Sequence, residues 1–234
     1  MSGMKISKAG GNCKNFEELA ITVFATKEYI MSMEDTYTTI LRRGRAEVKV
    51  QGSRFIALAV PGTTREEIDP VLESVRKEYF DATHHCYAYR LGTGREAYRM
   101  HDDGEPAGTG GRPILAAIDR EGLTDVVVVV TRYFGGTKLG VGGLSRAYGE
   151  AATQALRDAG RETRYVVAEL ELVFSHDVTS AVMHCISRFQ ARIVDTAYDD
   201  QVRMRVEIRQ SMVGELNDRL VEQTGGRAAV KSSS

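Results

Sequence analysis

Apolar and polar residues alternate from Ala46 to Val50, with Ala46, Val48 and Val50 interleaved by Glu47 and Lys49. A period of two marks a half-buried strand. Gly52-Ser53 then makes a turn and Phe55 to Val60 a second strand, so the segment predicts a β-hairpin. Between about Thr64 and Tyr79 the period becomes helical. Ile68, Val71, Leu72, Val75 and Tyr79 share one face, and Thr64 with Glu67 has capping-box spacing. Pro70 interrupts the pattern: the helix either kinks there or starts at Asp69 with Pro70 in its first position. His84 to Arg90 predicts a strand and Gly92 to Gly94 a turn. Ile114 to Arg120, after Pro113 and before Gly122, predicts a helix. Val126 to Val130 is short and β-branched throughout, hence a strand buried on both faces. Leu144 to Ala159 predicts a long helix ended by Gly160. Its apolar stripe (Leu144, Ala147, Tyr148, Ala151, Ala155, Leu156, Ala159) is mostly small residues, which permits close packing on a sheet.

The pattern changes near residues 160 to 164, AGRETR from Ala159 onward, which marks a domain boundary. Beyond it the order is β-α-β-β-α-β. The strands are Tyr165–Phe174, Arg192–Tyr198, Val202–Arg209 and Arg227–Lys231, and the helices Val178–Phe189 and Met212–Gln223. This is the ferredoxin-like split βαβ arrangement. The predicted domains are therefore 34–161 and 162–234, behind an extension at 1–33. In that extension, residues 1–14 read as an unstructured tail. Asn15 and Glu18 are spaced to open a short amphipathic helix through Phe16, Leu19, Ala20, Val23 and Phe24. Alternatively, translation starts at Met31 or Met33.

Composition narrows the picture. The chain has 234 residues and a net charge of -1, so bulk electrostatics gives no support to sequence-blind nucleic-acid binding; only a local basic patch would serve. Cys13, Cys86 and Cys185 are odd in number and widely spaced, which fits a reducing cytosol. The longest early apolar stretch, Leu19 to Ala25, is too short to span a membrane, and a cytoplasmic protein without membrane contact is expected.

The candidate chemistry lies at residues 102–149. Gly104, Gly108, Gly110 and Gly111 precede the valine strand, and Gly135, Gly136, Gly140, Gly142 and Gly143 follow it. So dense a cluster implies positive φ angles or close backbone approach. Polar residues lie between the glycines: Asp102, Asp103, Glu105, Arg112, Arg132, Lys138 and Arg146. The expectation is that both segments fold into one surface site at the end of the valine strand. The second segment has the strand–glycine loop–helix layout that holds phosphates at helix N-termini. However, Val141 stands where a P-loop needs lysine, and G-V-G-G-L-S from Gly140 to Ser145 only partly matches the dinucleotide fingerprint. A structural or anion-contacting glycine turn is the better reading, and no cofactor is implied.

Asp102, Asp103 and Glu105, with His85 and His101, could ligate a hard cation or act as acid and base. The competing reading is a turn, since Asp-Asp-Gly-Glu-Pro is rich in turn formers. His84-His85-Cys86 lacks a second ligand pair at zinc spacing. Strand alternation puts His85 and Tyr87 on one side, His84 and Cys86 on the other. Ser145 is outside any G-x-S-x-G elbow. Arg132, Lys138 and Arg146, with Tyr133, Phe134 and Tyr148, make a basic and aromatic set suited to RNA or a protein partner; the alternative is ordinary solvated charge.

DDGEPAGTGGRP, followed by VVVVVTRYFGGTKLGVGGLSRAYGEAA, resembles the signature of the IMPACT family, also called the YigZ family. THHCYAYR from Thr83 and KVQGSRFIA from Lys49 fit it too. The resemblance runs from about Tyr37 to the C-terminus; Gly110 departs from it, since the family usually has alanine there and a somewhat looser turn is expected. The resemblance implies an α+β protein. Its first domain would be similar to domain 2 of a small-subunit ribosomal protein and to domain IV of elongation factor G, its second to that factor's ferredoxin-like domain V. It also implies a role in regulating translation initiation.

The resulting expectation is a binding protein acting on translation through RNA, ribosome or translation-factor contact. Its binding residues are Arg112, Arg132, Tyr133, Phe134, Gly135, Gly136, Lys138, Gly140, Gly142, Gly143 and Arg146. The alternatives are a hydrolytic or metal-assisted enzyme using His85, Asp102, Asp103 and Glu105, and a protein–protein adaptor.

Overall fold

The computed structural model describes residues 35–232. The segment with the expected Asn15–Phe24 helix and Cys13 lies outside them. The chain is a mixed α+β protein that divides into two compact units, the first covering Thr36–Val166 and the second, among the described residues, Asp35 and Val167 onward.

The first unit is built on five antiparallel strands. β1 (Thr36–Ile40) precedes the hairpin β2 (Gly44–Val50) and β3 (Ser53–Pro61); α1 (Arg65–Glu78), β4 (His84–Leu91), β5 (Ala97–His101), α2 (Gly111–Arg120), β6 (Val126–Tyr133), α3 (Gly140–Ala159) and β7 (Arg161–Tyr165) follow. The main sheet runs β2-β3-β6-β4-β5, while β1 and β7 pair as a two-stranded sheet. The valine strand is central, between β3 and β4, and Val126 to Thr131 are buried. Its alternate side chains feed two cores. Val126, Val128 and Val130 pack with Phe55, Cys86 and Tyr148 beneath α2 and α3, and Val127 and Val129 with Ile68, Val75, Tyr87 and Tyr89 beneath α1.

Several elements follow their local chemistry. The hairpin turns at Gln51 and Gly52, both with positive φ (46° and 84°), one residue earlier than expected. α1 is capped by Thr64, whose hydroxyl accepts from the Glu67 N–H, while the Glu67 carboxylate takes the Thr63 N–H. The helix begins at Arg65 with Pro70 inside it, so the start at Asp69 does not occur. The small-residue stripe of α3 lets it lie on β2: a Cβ on Gly44 would stand 2.2 Å from the Ala155 carbonyl oxygen.

Three strands differ from expectation. β1 and β5 give no strong local signal, and β5 is exposed along its whole length. Residues 160–164 read as a domain boundary, with the next strand starting at Tyr165. Instead Arg161–Tyr165 pairs with β1, so the first unit extends to Val166 rather than ending near residue 161.

The second unit contains β8 (Val167–Phe174), α4 (Thr179–Arg188), β9 (Arg192–Tyr198), β10 (Val202–Arg209), α5 (Val213–Thr224) and β11 (Ala228–Ser232). Its antiparallel sheet has the order β11-β8-β10-β9. Leu172, Phe174, Val202, Met204 and Val206 pack there against Val182, Cys185, Leu216 and Leu220 of the helices.

The Gly44 approach yields a prediction. Gly44→Ala should destabilise the protein by about 1–3 kcal/mol through overpacking. An unchanged urea midpoint would show that α3 lies further from β2 than described.

Candidate functional site

The acidic segment folds into a turn held from within. Between β5 and α2, the Asp102 carboxylate accepts the backbone N–H groups of Gly108 at 2.8 Å, Gly110 at 3.0 Å and Gly111 at 2.8 Å. Burial opposes the charge of Asp102, but the three donors outweigh it and hold the carboxyl below its usual range. The glycines are needed for close approach: a Cβ on Gly111 would lie 2.6 Å from the His101 nitrogen, and one on Gly110 2.4 Å from Cys86 Sγ. The expected looser turn at Gly110 is therefore not what the packing shows, because the missing methyl leaves room for Cys86.

The neighbouring histidines are tied to the same turn. Asp103, with φ 45°, takes the His85 N–H at 2.7 Å, and its own N–H donates to His101 Nδ1 at 3.1 Å. His84 Nδ1 lies 2.7 Å from the Asp103 carbonyl oxygen, and His85 Nε2 lies 3.1 Å from that of Tyr79. The strand alternation holds, with Cys86 in the α2/α3 core and Tyr87 in the α1 core.

Glu105 is buried at 8% exposure. One of its oxygens accepts from Arg132 Nη1 and from the Tyr148 hydroxyl, each at 2.7 Å. His84 Nε2 approaches the same oxygen at 3.9 Å. Burial, then the neighbouring Cys86 and Glu105, push the Tyr148 hydroxyl far above its usual range, and burial pushes the Cys86 thiol up to about 12. Both therefore stay protonated at neutral pH. Among the described residues, no three His, Cys, Asp or Glu side chains are grouped to hold a metal ion.

On the solvent side of α2 and α3 lies an open groove of about 1110 Å³. Val48 and Val50 of β2, Pro113 and Ala116 of α2, and Leu139 and Val141 make its apolar lining. Arg112, Arg120, Arg146 and Arg157 carry positive charge along it. Glu150 is the single carboxylate of the lining and accepts from Gln154 Nε2 at 2.7 Å. Among the described residues, Arg112, Arg120 and Arg146 have no carboxylate within salt-bridge distance, and Arg157 only approaches Glu121 at 3.9 Å. Gly108 and Gly143 both line the groove, so the two glycine segments do meet.

Comparison with known proteins places this arrangement. The model of the Impact N-terminal domain matches residues 51–156, and that of a domain of unknown function, DUF1949, matches residues 172–227. The IMPACT family member YigZ of Escherichia coli (strain K12) is 33% identical over 180 residues, covering 76% of this chain and 88% of that protein. The chain belongs to the IMPACT family. The family member YvyE of Bacillus subtilis (strain 168) is 30% identical over 199 residues, covering 85% of this chain and 92% of that one. A crystal structure of a hypothetical protein superposes with TM-score 0.70 at 29% identity, over 86% of this chain and 99% of that one.

In this IMPACT member the expected binding residues fall into three places. Arg112, Gly143 and Arg146 line the groove. Phe134, Gly135, Gly136, Lys138, Gly140 and Gly142 lie exposed between β6 and the groove or on the first turn of α3, with Tyr133 half-buried beside them. Arg132 is inside, 5% exposed and spent on Glu105. As a free phosphate contact it is corrected, since its partner lies 27 residues upstream where spacing gave no hint. Arg120 and Arg157 went unnoticed, although the i, i+4, i+8 series Arg112-Ala116-Arg120 and the Arg146-Glu150-Thr153-Arg157 stripe are helical signals.

Arg132→Met should cost about 3–5 kcal/mol by leaving the buried carboxylate unpaired. The double variant with Glu105→Gln should recover part of that loss in thermal melts; strictly additive losses would contradict the pairing. A second expectation concerns pH. The Asp102 pKa is depressed on folding, so its contribution is present above the unfolded value near 3.8 and lost as pH falls through the folded value. Asp102→Asn should lower the melting temperature at pH 7, and the gap to wild type should narrow below about pH 4. A gap constant with pH would refute the assignment.

Proposed function

We propose that this IMPACT member is a non-enzymatic binding protein that acts on translation through RNA contact, with the arginine-lined groove as its docking surface. The observation that carries the reading is the unpaired charge. In a chain of net charge -1, Arg112, Arg120 and Arg146 share one groove without carboxylate partners among the described residues. Such local excess attracts a polyanion where bulk charge does not.

The acidic segment supports binding over catalysis. Asp102 is saturated by backbone donors, and Glu105 is locked between Arg132 and Tyr148, so neither is presented to a substrate. The sheet of the second unit carries ion pairs, Arg205 with Glu169 and Asp195, Arg192 with Glu207, beside the exposed Ile193, Val194 and Tyr198 of β9. Its strand order suits a ferredoxin-like domain, and the first unit's suits the ribosomal-protein domain 2-like and elongation-factor domain IV folds that contact ribosomes. That likeness raises the expectation of a role in translation but carries none of the site argument.

The test is co-sedimentation with ribosomes at about 50 and 200 mM salt. Wild type should sediment at low salt and be released at high salt. Arg112→Gln/Arg146→Gln should sediment poorly and lose about 1.4 from the salt slope of its affinity, two single-strand phosphate contacts. Sedimentation equal to wild type, or none by the wild type at low salt, would overturn the proposal.

A further inference from the structure

Two large aromatic rings stand in solvent at the exits of α1 and β6. Phe134, just after β6, is 48% exposed, and Phe80, in the turn after α1, is 83% exposed. The Tyr133 hydroxyl donates to Asp81 at 2.7 Å and the Phe134 N–H to Thr83 Oγ1 at 3.1 Å. These bonds tie the turn after α1, which carries Phe80, to the exit of β6, which carries Phe134. The Arg132 guanidinium lies 5.5 Å from the Phe134 ring centroid, and because Glu105 fixes the guanidinium, the ring has a rigid backing.

The β6 exit continues along the chain into the groove lining at Leu139. Phe134 and Leu139 of the groove lining are five residues apart, at most about 18 Å. Gly135 packs on the Gly52 backbone, next to Gln51 of the lining. Between them Lys138 is exposed and without a carboxylate partner among the described residues.

We propose that the combined surface binds a single-stranded stretch of RNA, its phosphates following the arginine groove past Lys138 and its unstacked bases resting on Phe134 and Phe80. The inference rests on the reading of the groove as an RNA contact and adds the strandedness and the place of the bases. A duplex hides its base faces within its own stack and has no use for exposed rings, whereas a single strand presents them. An acidic peptide would satisfy the arginines but leave the rings without the flat partners they fit.

Fluorescence anisotropy with the full chain separates these cases, using a single-stranded RNA of about 12 nucleotides, a blunt RNA duplex of equal length, and polyglutamate. The single strand should bind at least about tenfold more tightly than the duplex. Phe80→Ala/Phe134→Ala should lose about tenfold or more for the single strand while keeping its salt slope. Both residues are solvent-exposed, so an unchanged melting temperature should accompany the loss. Equal binding of strand and duplex, with the phenylalanine variant like wild type and Arg112→Gln/Arg146→Gln weakened, would overturn the stacking inference and leave the RNA groove standing. Binding of polyglutamate alone, or of none of the three, would overturn both.

Discussion

Glu105 is a carboxylate with almost no access to water, and the first unit is arranged around meeting its needs. A buried charge is tolerable only when paired and hydrogen-bonded. Arg132 supplies the countercharge from β6 and Tyr148 a hydroxyl from α3, both to one oxygen. The contact fastens the turn between β5 and α2 to the central strand and to the long helix together. Its consequences spread outward: Tyr148 meets Phe55 edge-on at 5.0 Å in the core, and Arg132 lies over Phe134 at the surface. One desolvated ion pair thus places a core ring and a solvent-facing ring.

The glycines follow a related logic. Dense glycine beside a strand implies positive φ angles or close backbone approach to a ligand or another segment, and much of the approach is to the protein itself. A Cβ at Gly135 would lie 1.9 Å from the Gly52 carbonyl carbon, and the glycines before α2 leave room for Cys86 and His101. This close packing brings the hairpin, the acidic turn and the α3 entry together, and the groove lies where they meet. The glycines shape its walls, and the cations come from helix faces.

Legibility in the sequence tracked how local each cause is. The five valines announced a buried strand because β-branched side chains in an unbroken run have few other homes. The Thr64–Glu67 cap and the helical stripes were equally local. β1, β5 and β7 were not legible as separate strands, since short polar edge segments become strands only when a distant partner supplies the hydrogen bonds. The site divides in the same way. That Arg112 and Arg146 border the glycines could be read from position. That Arg132 turns inward depends on Glu105, brought to it by tertiary folding alone.

Charges in this chain accordingly fall into two populations. One is consumed by the fold: Arg132 with Glu105, Arg90 and Arg95 with Asp119, Arg192 with Glu207. The other is left over, and along the groove it sets Arg112, Arg120 and Arg146 against the single carboxylate of Glu150. A near-neutral total hides this separation, because paired charges cancel in the sum and in their field, while unpaired arginines along an apolar lining act together. Arg43, Lys77, Arg99 and Arg188 also lack a carboxylate partner among the described residues and lie outside this groove, whereas Arg112, Arg120 and Arg146 share it. Their place in one groove, in the same unit as two exposed phenylalanines, one of them held from behind by a structural arginine, is what supports the proposal of a single recognition surface.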